Sequence, residues 1–479
     1  MLSHLIARGR PFASRFESTV ALLIGGLLLA IALVIWRGDQ LGVNVVALSP
    51  APDANPVPLR TQLHIRFDQT IAAEPATIQF TLNPPVSGTV QTGPDGVVFV
   101  PSVPLQPNQL YTATLQPGLQ SEQGRRLRDA VVWHFQTGHI AILYTALDAA
   151  GREQLFTAPL VLENLTSTNQ ANSVGGAPQQ LTAHPSGVWD FSVAFATSRI
   201  FFSALEEDGS GDLWTVQPGA AASQFLDCPQ AVCSGASASP DGRFLAFSRR
   251  NASELAAGVM SPPRLWLLDL QTGKSAGIFE DDQRLGFEGR WSVDQQWLAY
   301  LSPDLGGVGV YNLATGAEKL YATSTGETGV WHPGRNELLI SVMQQVGDRF
   351  FVHLLLLNPD ADSQRNLSGT GSLVEDSSPA WSPDGAWIVF RRKEVAGPTA
   401  TPGKQLWRMR EDGSKPEMLT NDATVDHGPP VWSPDGRYVL FHKLPLKGPD
   451  TTMSVWLLDV ESGEQWEIAR PGQRPLWMP

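Results

Sequence analysis

Eight ionisable residues fall in short segments that each lead into a strand-like stretch. They are Glu288 and Arg290 in "GFEGR", Glu327 in "TGETG", Glu375 and Asp376 in "VEDSSP", Asp426 and His427 in "VDHGPP", and Arg474 in "GQRP". Carboxylates, guanidinium groups and an imidazole in one set can receive the mixed charges of a peptide or a glycan. The same residues also read as a solvated rim. Asp426 and His427 are chain neighbours, and a lone pair of that kind reads as a solvated loop unless other groups converge on it.

Other routes to chemistry are not written in the chain. There is no Gly-x-Ser-x-Gly nucleophile elbow, no His-Glu-x-x-His, no phosphate loop and no dinucleotide glycine pattern. No cofactor or metal is expected. Asp241, Asp384 and Asp435 recur in "SPDG" and read as turn residues before they read as metal ligands. Cys228 and Cys233, the two cysteines, enclose four residues and suggest a local disulfide in an oxidising compartment.

The elements that must hold these residues are repeated. "SASPDGRFLAFSRR", "PAWSPDGAWIVFRRK" and "PVWSPDGRYVLFHK" are near-copies, and "GRWSVDQQWLAYLS" and "GVWHPGRNELLISV" are degenerate ones. Proline has no N–H for a ladder, so it ends a first strand. Asp-Gly makes the turn, because glycine takes positive φ at little cost. "RFLAF", "AWIVF" or "RYVLF" is then a buried second strand. A third strand ("RLWLLDL", "QLWRMRE", "SVWLLDV") and a short fourth ("AGIF", "KLYA", "EMLT", "WEIA") complete a four-stranded unit. Units of about 40–50 residues repeated radially make a β-propeller.

Counting first strands at Trp189, Ala238, Trp291, Trp331, Trp381, Trp432 and Trp477 gives seven blades; six remain if the weak unit at Trp189 is not one. Before it, "IAILYTAL", "EQLFTAPLV" and "PQQLTA" supply strands two, three and four of a blade without a first strand. The terminal "RPLWMP" reads as that strand, so the C-terminal strand is expected to pair near Ile140 and close the ring. The repeat resembles the TolB-like, WD40-like propeller repeat, also found beside the hydrolase domain of prolyl oligopeptidases; residues 139–479 leave no room for such a domain. TolB-type propellers have six blades, so seven is a departure.

Upstream, "TQLHIRFD" alternates Leu63, Ile65 and Phe67 against polar residues, "GVVFVPSVPLQPNQLYTATLQ" gives two strands, and "DAVVWHFQTG" ends the segment with Val132 and Phe135 in an apolar run. Short strands between Gly/Pro turns suggest a β-sandwich over 56–138. These residues resemble the bacterial Ig-like domain of the S-layer-protein type, which implies a spacer or adhesive module and no catalysis. Residues 38–55, with "SPAPDANPVP", read as a proline-rich linker.

The 17 uncharged residues Val20–Trp36 are long enough to span a bilayer core. Residues 1–18 then form a basic cytoplasmic segment and 19–37 a signal-anchor, with residues 38–479 outside. A cleaved signal peptide, and hence secretion, is the alternative. Residues 1–37 carry a net +3 within a chain of net charge −13, so the rest is strongly acidic, which argues against nucleic acid as a partner. The expectation is therefore an all-β, monomeric, membrane-anchored extracytoplasmic protein. Its Ig-like domain would be a spacer, and its propeller would bind a protein or envelope ligand without being an enzyme. A propeller lyase or lactonase is the alternative. A sensory ectodomain is weaker, because about 18 residues leave no cytoplasmic signalling domain.

Overall fold

The computed structural model describes Thr19, residues 22–29, and residues 42–479 apart from 161–176, 253–259 and scattered single or paired positions. Residues 22–29 are helical, and the rest of the proposed span Val20–Trp36 lies outside the described residues. Among the described residues no helix is long and apolar enough to cross a membrane. The chain forms two compact units, one made chiefly of residues up to Gln136 and the other chiefly of Thr137–Pro479.

The first unit is a pair of four-stranded sheets. One orders Val45–Ser49, Leu63–Phe67, Gly96–Pro101 and Gly88–Gly93; the other orders Ala54–Val57, Val131–Thr137, Leu110–Leu115 and Phe80–Asn83. Alternation places Leu63, Ile65, Val97 and Phe99 of one sheet and Tyr111, Trp133 and Phe135 of the other inside. Phe80 stacks on Phe99 with ring centroids 4.6 Å apart. One expectation changes here. The stretch 38–55 is not a linker throughout, because Val45–Ser49 pairs with Leu63–Phe67 and Ala54–Val57 begins a strand of the second sheet. In the last strand Trp133 and Phe135 lie inside and Val132 is exposed, since a period of two sends chain neighbours to opposite faces.

Among the described residues the second unit holds five sheets, two of them eight-stranded because Gly211 pairs parallel with Val232 and Val352 pairs parallel with Glu375; each of these two divides into two antiparallel groups, so that seven groups can be followed along the chain. Group two holds Asp190–Ala194, Arg199–Leu205, Gly211–Val216 and Ser223–Leu226; group three holds Ala231–Ala238, Phe244–Asn251, Arg264–Asp269 and Ser275–Gly277. Group four holds Phe287–Trp291, Trp297–Ser302, Gly307–Asn312 and Glu318–Ala322; group five holds Val330–Trp331, Leu338–Val346, Arg349–Asn358 and Ser363–Asn366. Group six holds Val374–Trp381, Trp387–Glu394, Gln405–Arg410 and Glu417–Met418. In group seven the first strand is interrupted (Val425–His427, then Val431–Trp432), followed by Tyr438–Pro445, Ser454–Asp459 and Gln465–Ala469. Group one combines Ile140–Leu147, Glu153–Leu160 and Gln179–Gln180 with Gln473–Trp477, which pairs antiparallel to Ile140–Leu147 through Trp477 opposite Ile142.

Each residue of the repeat has a defined bond. Ser239, Ser382 and Ser433 donate their hydroxyls to Asp241, Asp384 and Asp435, and accept the N–H of the first residue of the next strand, Phe244, Trp387 and Tyr438. Ser292 and Asp294 repeat the arrangement in a copy that lacks Pro and Gly. The carboxylates are turn caps, and the Ser382 hydroxyl holds Asp384 below the usual carboxylate range.

The tryptophans tie one group to the one before it. The indole N–H of Trp291 donates to Ser237 O (2.9 Å), that of Trp331 to Arg290 O (2.9 Å), that of Trp432 to Ala380 O (3.1 Å) and that of Trp477 to Val431 O (3.3 Å). Trp381 departs from the pattern: its indole N–H is buried without a partner, and the His332 ring lies edge-on at 4.8 Å. Among the described residues seven apolar cores lie between successive groups, and one of them joins Leu440, Leu457 and Trp466 of group seven to Ile142, Tyr144 and Trp477 of group one.

The tryptophan of group two is not the one expected. Val193 faces Ile200 as Trp291 faces Leu298 and Trp381 faces Ile388. Val193 therefore takes the motif position, and Trp189, four residues earlier, is 52% exposed.

Candidate functional site

The first strands of four groups carry a β-bulge three residues before the motif position. There Gly235, Glu288, Ser378 and Arg474 have φ of 64°, 54°, 49° and 50°. Positive φ on three non-glycine residues is uncommon, and bulges of this kind re-aim side chains. Their neighbours bond from one group to the next. Asp190 accepts the Gly235 N–H at 3.0 Å and the Ser203 hydroxyl at 2.7 Å. Thr328 donates to Glu288 O at 3.2 Å. Glu327 accepts the Ser378 N–H at 2.9 Å and the hydroxyls of Ser378 and Ser341 at 2.7 Å.

These bonds sort the eight expected residues. Glu288, Glu327 and Arg474 stitch groups together; Arg474 donates to Glu153 at 2.6 Å and to Trp189 O at 3.1 Å, and lies over the Phe191 ring. Asp376 is not a surface contact. It is fully buried in a bidentate pair with Arg392 (both bonds 2.7 Å) and also accepts the Ser368 hydroxyl, because a carboxylate on the inward face of a strand needs a cation. His427 is not a solvated loop residue either: it ends a strand, is fully buried, and its Nδ1 lies 3.0 Å from Lys404 O. Arg290 is exposed and donates to Gly289 O, and Glu375 is half-buried.

Around Asp426 the structure gathers residues that the sequence did not single out. Arg391 donates to Asp426 at 2.6 Å, the Lys404 N–H does so at 2.7 Å, and the Lys404 ammonium donates to the Ser377 hydroxyl at 2.6 Å. His442 lies against Gly428, whose N–H donates to His442 O at 2.7 Å. Burial lowers the Lys404 ammonium below the usual lysine range, and Arg391 adds to this, while Glu327, Glu375 and Asp376 oppose it. Burial holds both His427 and His442 down to about 4, with Arg391 adding to the effect at His442. Among the described residues, Arg391 Nε, His427 Nε2 and His442 Nδ1 are buried and have no hydrogen-bond partner. The chain carried a signal for two of these: the aligned copies read "FSRR", "FRRK" and "FHKL" at Ser248, Arg391 and His442.

Two further features lie apart from this cluster. Cys228 and Cys233 are bonded and fully buried, and the Cys228 N–H donates to Asp212 at 2.9 Å. A cavity of about 710 Å³ lies between groups three and four against Phe244, Trp291 and Tyr311, where the small residues Ser275–Gly277 form the fourth strand.

The bacterial Ig-like domain family matches residues 39–137. An uncharacterized protein of Agrobacterium fabrum is 32% identical over 112 residues, which is 23% of this chain and 33% of that protein. Among solved structures, TolB from Acinetobacter baumannii matches with 12% identity and a TM-score of 0.43, covering 84% of this chain and 83% of that one. Oligogalacturonate lyase from Vibrio parahaemolyticus matches with 12% identity and a TM-score of 0.43, covering 69% of this chain and 85% of that one.

Proposed function

We propose that residues 139–479 form a seven-bladed propeller, closed by Gln473–Trp477, that serves as an extracytoplasmic binding scaffold. In this reading the Ig-like domain is a spacer and residues 20–36 anchor the chain. The ligand is a protein or envelope component received at the mouth formed by the bulged first strands. The observation that carries the reading is the stitching of that mouth. Asp190, Glu288 and Glu327 bond from group to group and fix a rigid rim, on which Arg290, Glu375, Arg391 and Asp426 retain solvent contact.

A second reading, an enzyme of lyase or lactonase type, is favoured by one observation. The Lys404 ammonium, destabilised by burial, is bonded to the Ser377 hydroxyl, and a lysine so placed can serve as a base. Affinity capture of the full-length chain from envelope extracts, compared with the triple variant R290A/E375A/D426A, tests the first reading. Partners retained by the wild type and lost by the variant support it; partners held equally by both would refute a mouth-centred site.

A further inference from the structure

One position of the second strand separates two groups from the other five. It is the residue three places after the second-strand residue that faces the motif position. It holds Thr145, Ser203, Ser248, Leu301 and Ser341 in groups one to five, then Arg391 in group six and His442 in group seven.

The small hydroxyls are used within the ring. Ser203 donates to Asp190, Ser341 donates to Glu327, Thr145 donates to Gln473 O, and Ser248 Oγ accepts the Glu288 N–H at 3.4 Å. At this position four groups keep a small hydroxyl and group four keeps Leu301, whereas the adjacent groups six and seven place a guanidinium and an imidazole there. A repeat that introduces ionisable side chains at two neighbouring positions is locally inconsistent, and such positions concentrate at functional sites.

The hydrogen-bond accounting at these positions is also incomplete. Arg391 spends one nitrogen on Asp426 and leaves Nε buried without an acceptor; His442 Nδ1 is buried without a partner. The nearby acids are occupied. Asp426 takes Arg391 and the Lys404 N–H, Asp376 takes Arg392, and Glu327 takes Ser341 and Ser378. Glu375 lies on the same strand as Ser377, so four carboxylates stand near three cations, Arg391, Arg392 and Lys404. The donors without an acceptor are the Arg391 Nε–H and, in its Nδ1–H tautomer, the His442 ring. The Arg391 and Asp426 side chains are 18% and 25% exposed, so the edge of their ion pair meets solvent, while Arg391 Nε and His442 Nδ1 themselves are covered, and a ligand meets them only after these side chains shift.

We propose that the inner ends of groups six and seven bind a carboxylate group of the ligand, with Arg391 Nε and His442 Nδ1 as donors and the Lys404 ammonium beside them. This rests on the reading of the mouth as a binding site and names the chemistry that it takes. A carboxylate accepts from several donors at once, and Arg provides the planar geometry that it fits.

The test is calorimetric titration of the full-length chain with citrate and, separately, with hexaglutamate, at low salt. The variants are R391Q, H442L and, as a remote control, R437Q. The wild type should bind both probes, with R391Q and H442L each weakening binding at least tenfold and R437Q leaving it unchanged. Circular dichroism melting checks that each variant is folded. Absence of binding by the wild type, or binding that R391Q and H442L do not weaken, would overturn the carboxylate site. Partners captured from extracts despite R391Q would leave the scaffold reading standing without it. Tight binding of citrate with none of hexaglutamate would assign the site to a small acid; the reverse would assign it to an acidic peptide.

Discussion

Trp477→Ala tests the pairing of the last strand with group one. Trp477 is 3% exposed and packs in the core shared by groups seven and one, against Ile142, Tyr144, Leu440 and Leu457. Removing a buried Trp to Ala costs about 3–5 kcal/mol through lost transfer energy and the cavity left behind. The indole bond to Val431 O is long at 3.3 Å, and its loss adds roughly 0.5–1 kcal/mol. At about 2.1 cal/mol/K per residue, a unit of roughly 340 residues unfolds with about 0.7 kcal/mol/K, so a loss near 4 kcal/mol lowers Tm by about 6 °C. Scanning calorimetry of the full-length chain reads this directly. Trp189→Ala, at an exposed indole, is the control and should move Tm by about 1 °C or less. A W477A variant that melts together with the wild type would refute the pairing and the seven-group closure built on it.

Three further outcomes follow from the structure. Trp432→Phe should cost about 1 kcal/mol because Ala380 O loses its donor, whereas Trp381→Phe should be neutral or stabilising because it removes a buried N–H with no partner; urea midpoints compare the two. His427 and His442 are held down to about 4 when folded, against about 6.5 when unfolded, so their contribution is complete above pH 6.5 and is lost as the pH falls toward 4. The loss is on the order of 1.4 kcal/mol per pH unit for each, and H442L should flatten the slope of urea midpoints measured between pH 7 and 4.5. Replacing Cys228 and Cys233 by serine should lower stability by about 2 kcal/mol, the loop-closure value for so short a loop, with equal melts for reduced and oxidised wild type as the contrary result.

The repeat was legible because each of its parts is local. Ser-x-Asp-Gly encodes a turn whose hydroxyl and carboxylate bond within five residues, and alternation encodes which face of "RFLAF" is buried. The position of Val193 was not legible, because a valine replaces the indole and Trp189 stands nearby as a decoy. The strands Val45–Ser49 and Ala54–Val57 were hidden by prolines around them. Among the eight expected residues, the sequence did not separate those that bond from group to group from those buried within a strand, Asp376 and His427. Asp376 and Arg392 face each other across two strands, and nothing in "VEDSSP" shows which of two neighbouring acids turns inward. Arg391, Lys404 and His442 were not legible as site residues because they lie inside or beside strands rather than in the loops where binding residues concentrate, although the aligned copies differ at Arg391 and His442.

The central claim, that the mouth of the stitched first strands is where a partner binds, is tested most directly by site-specific photo-crosslinking in the living cell. A photoreactive residue placed at Arg290 or Glu375 should yield a specific adduct, and one placed at Thr272 or Glu461, in the turns between third and fourth strands, should not. Adducts from the turns alone, with none from the mouth, would contradict it.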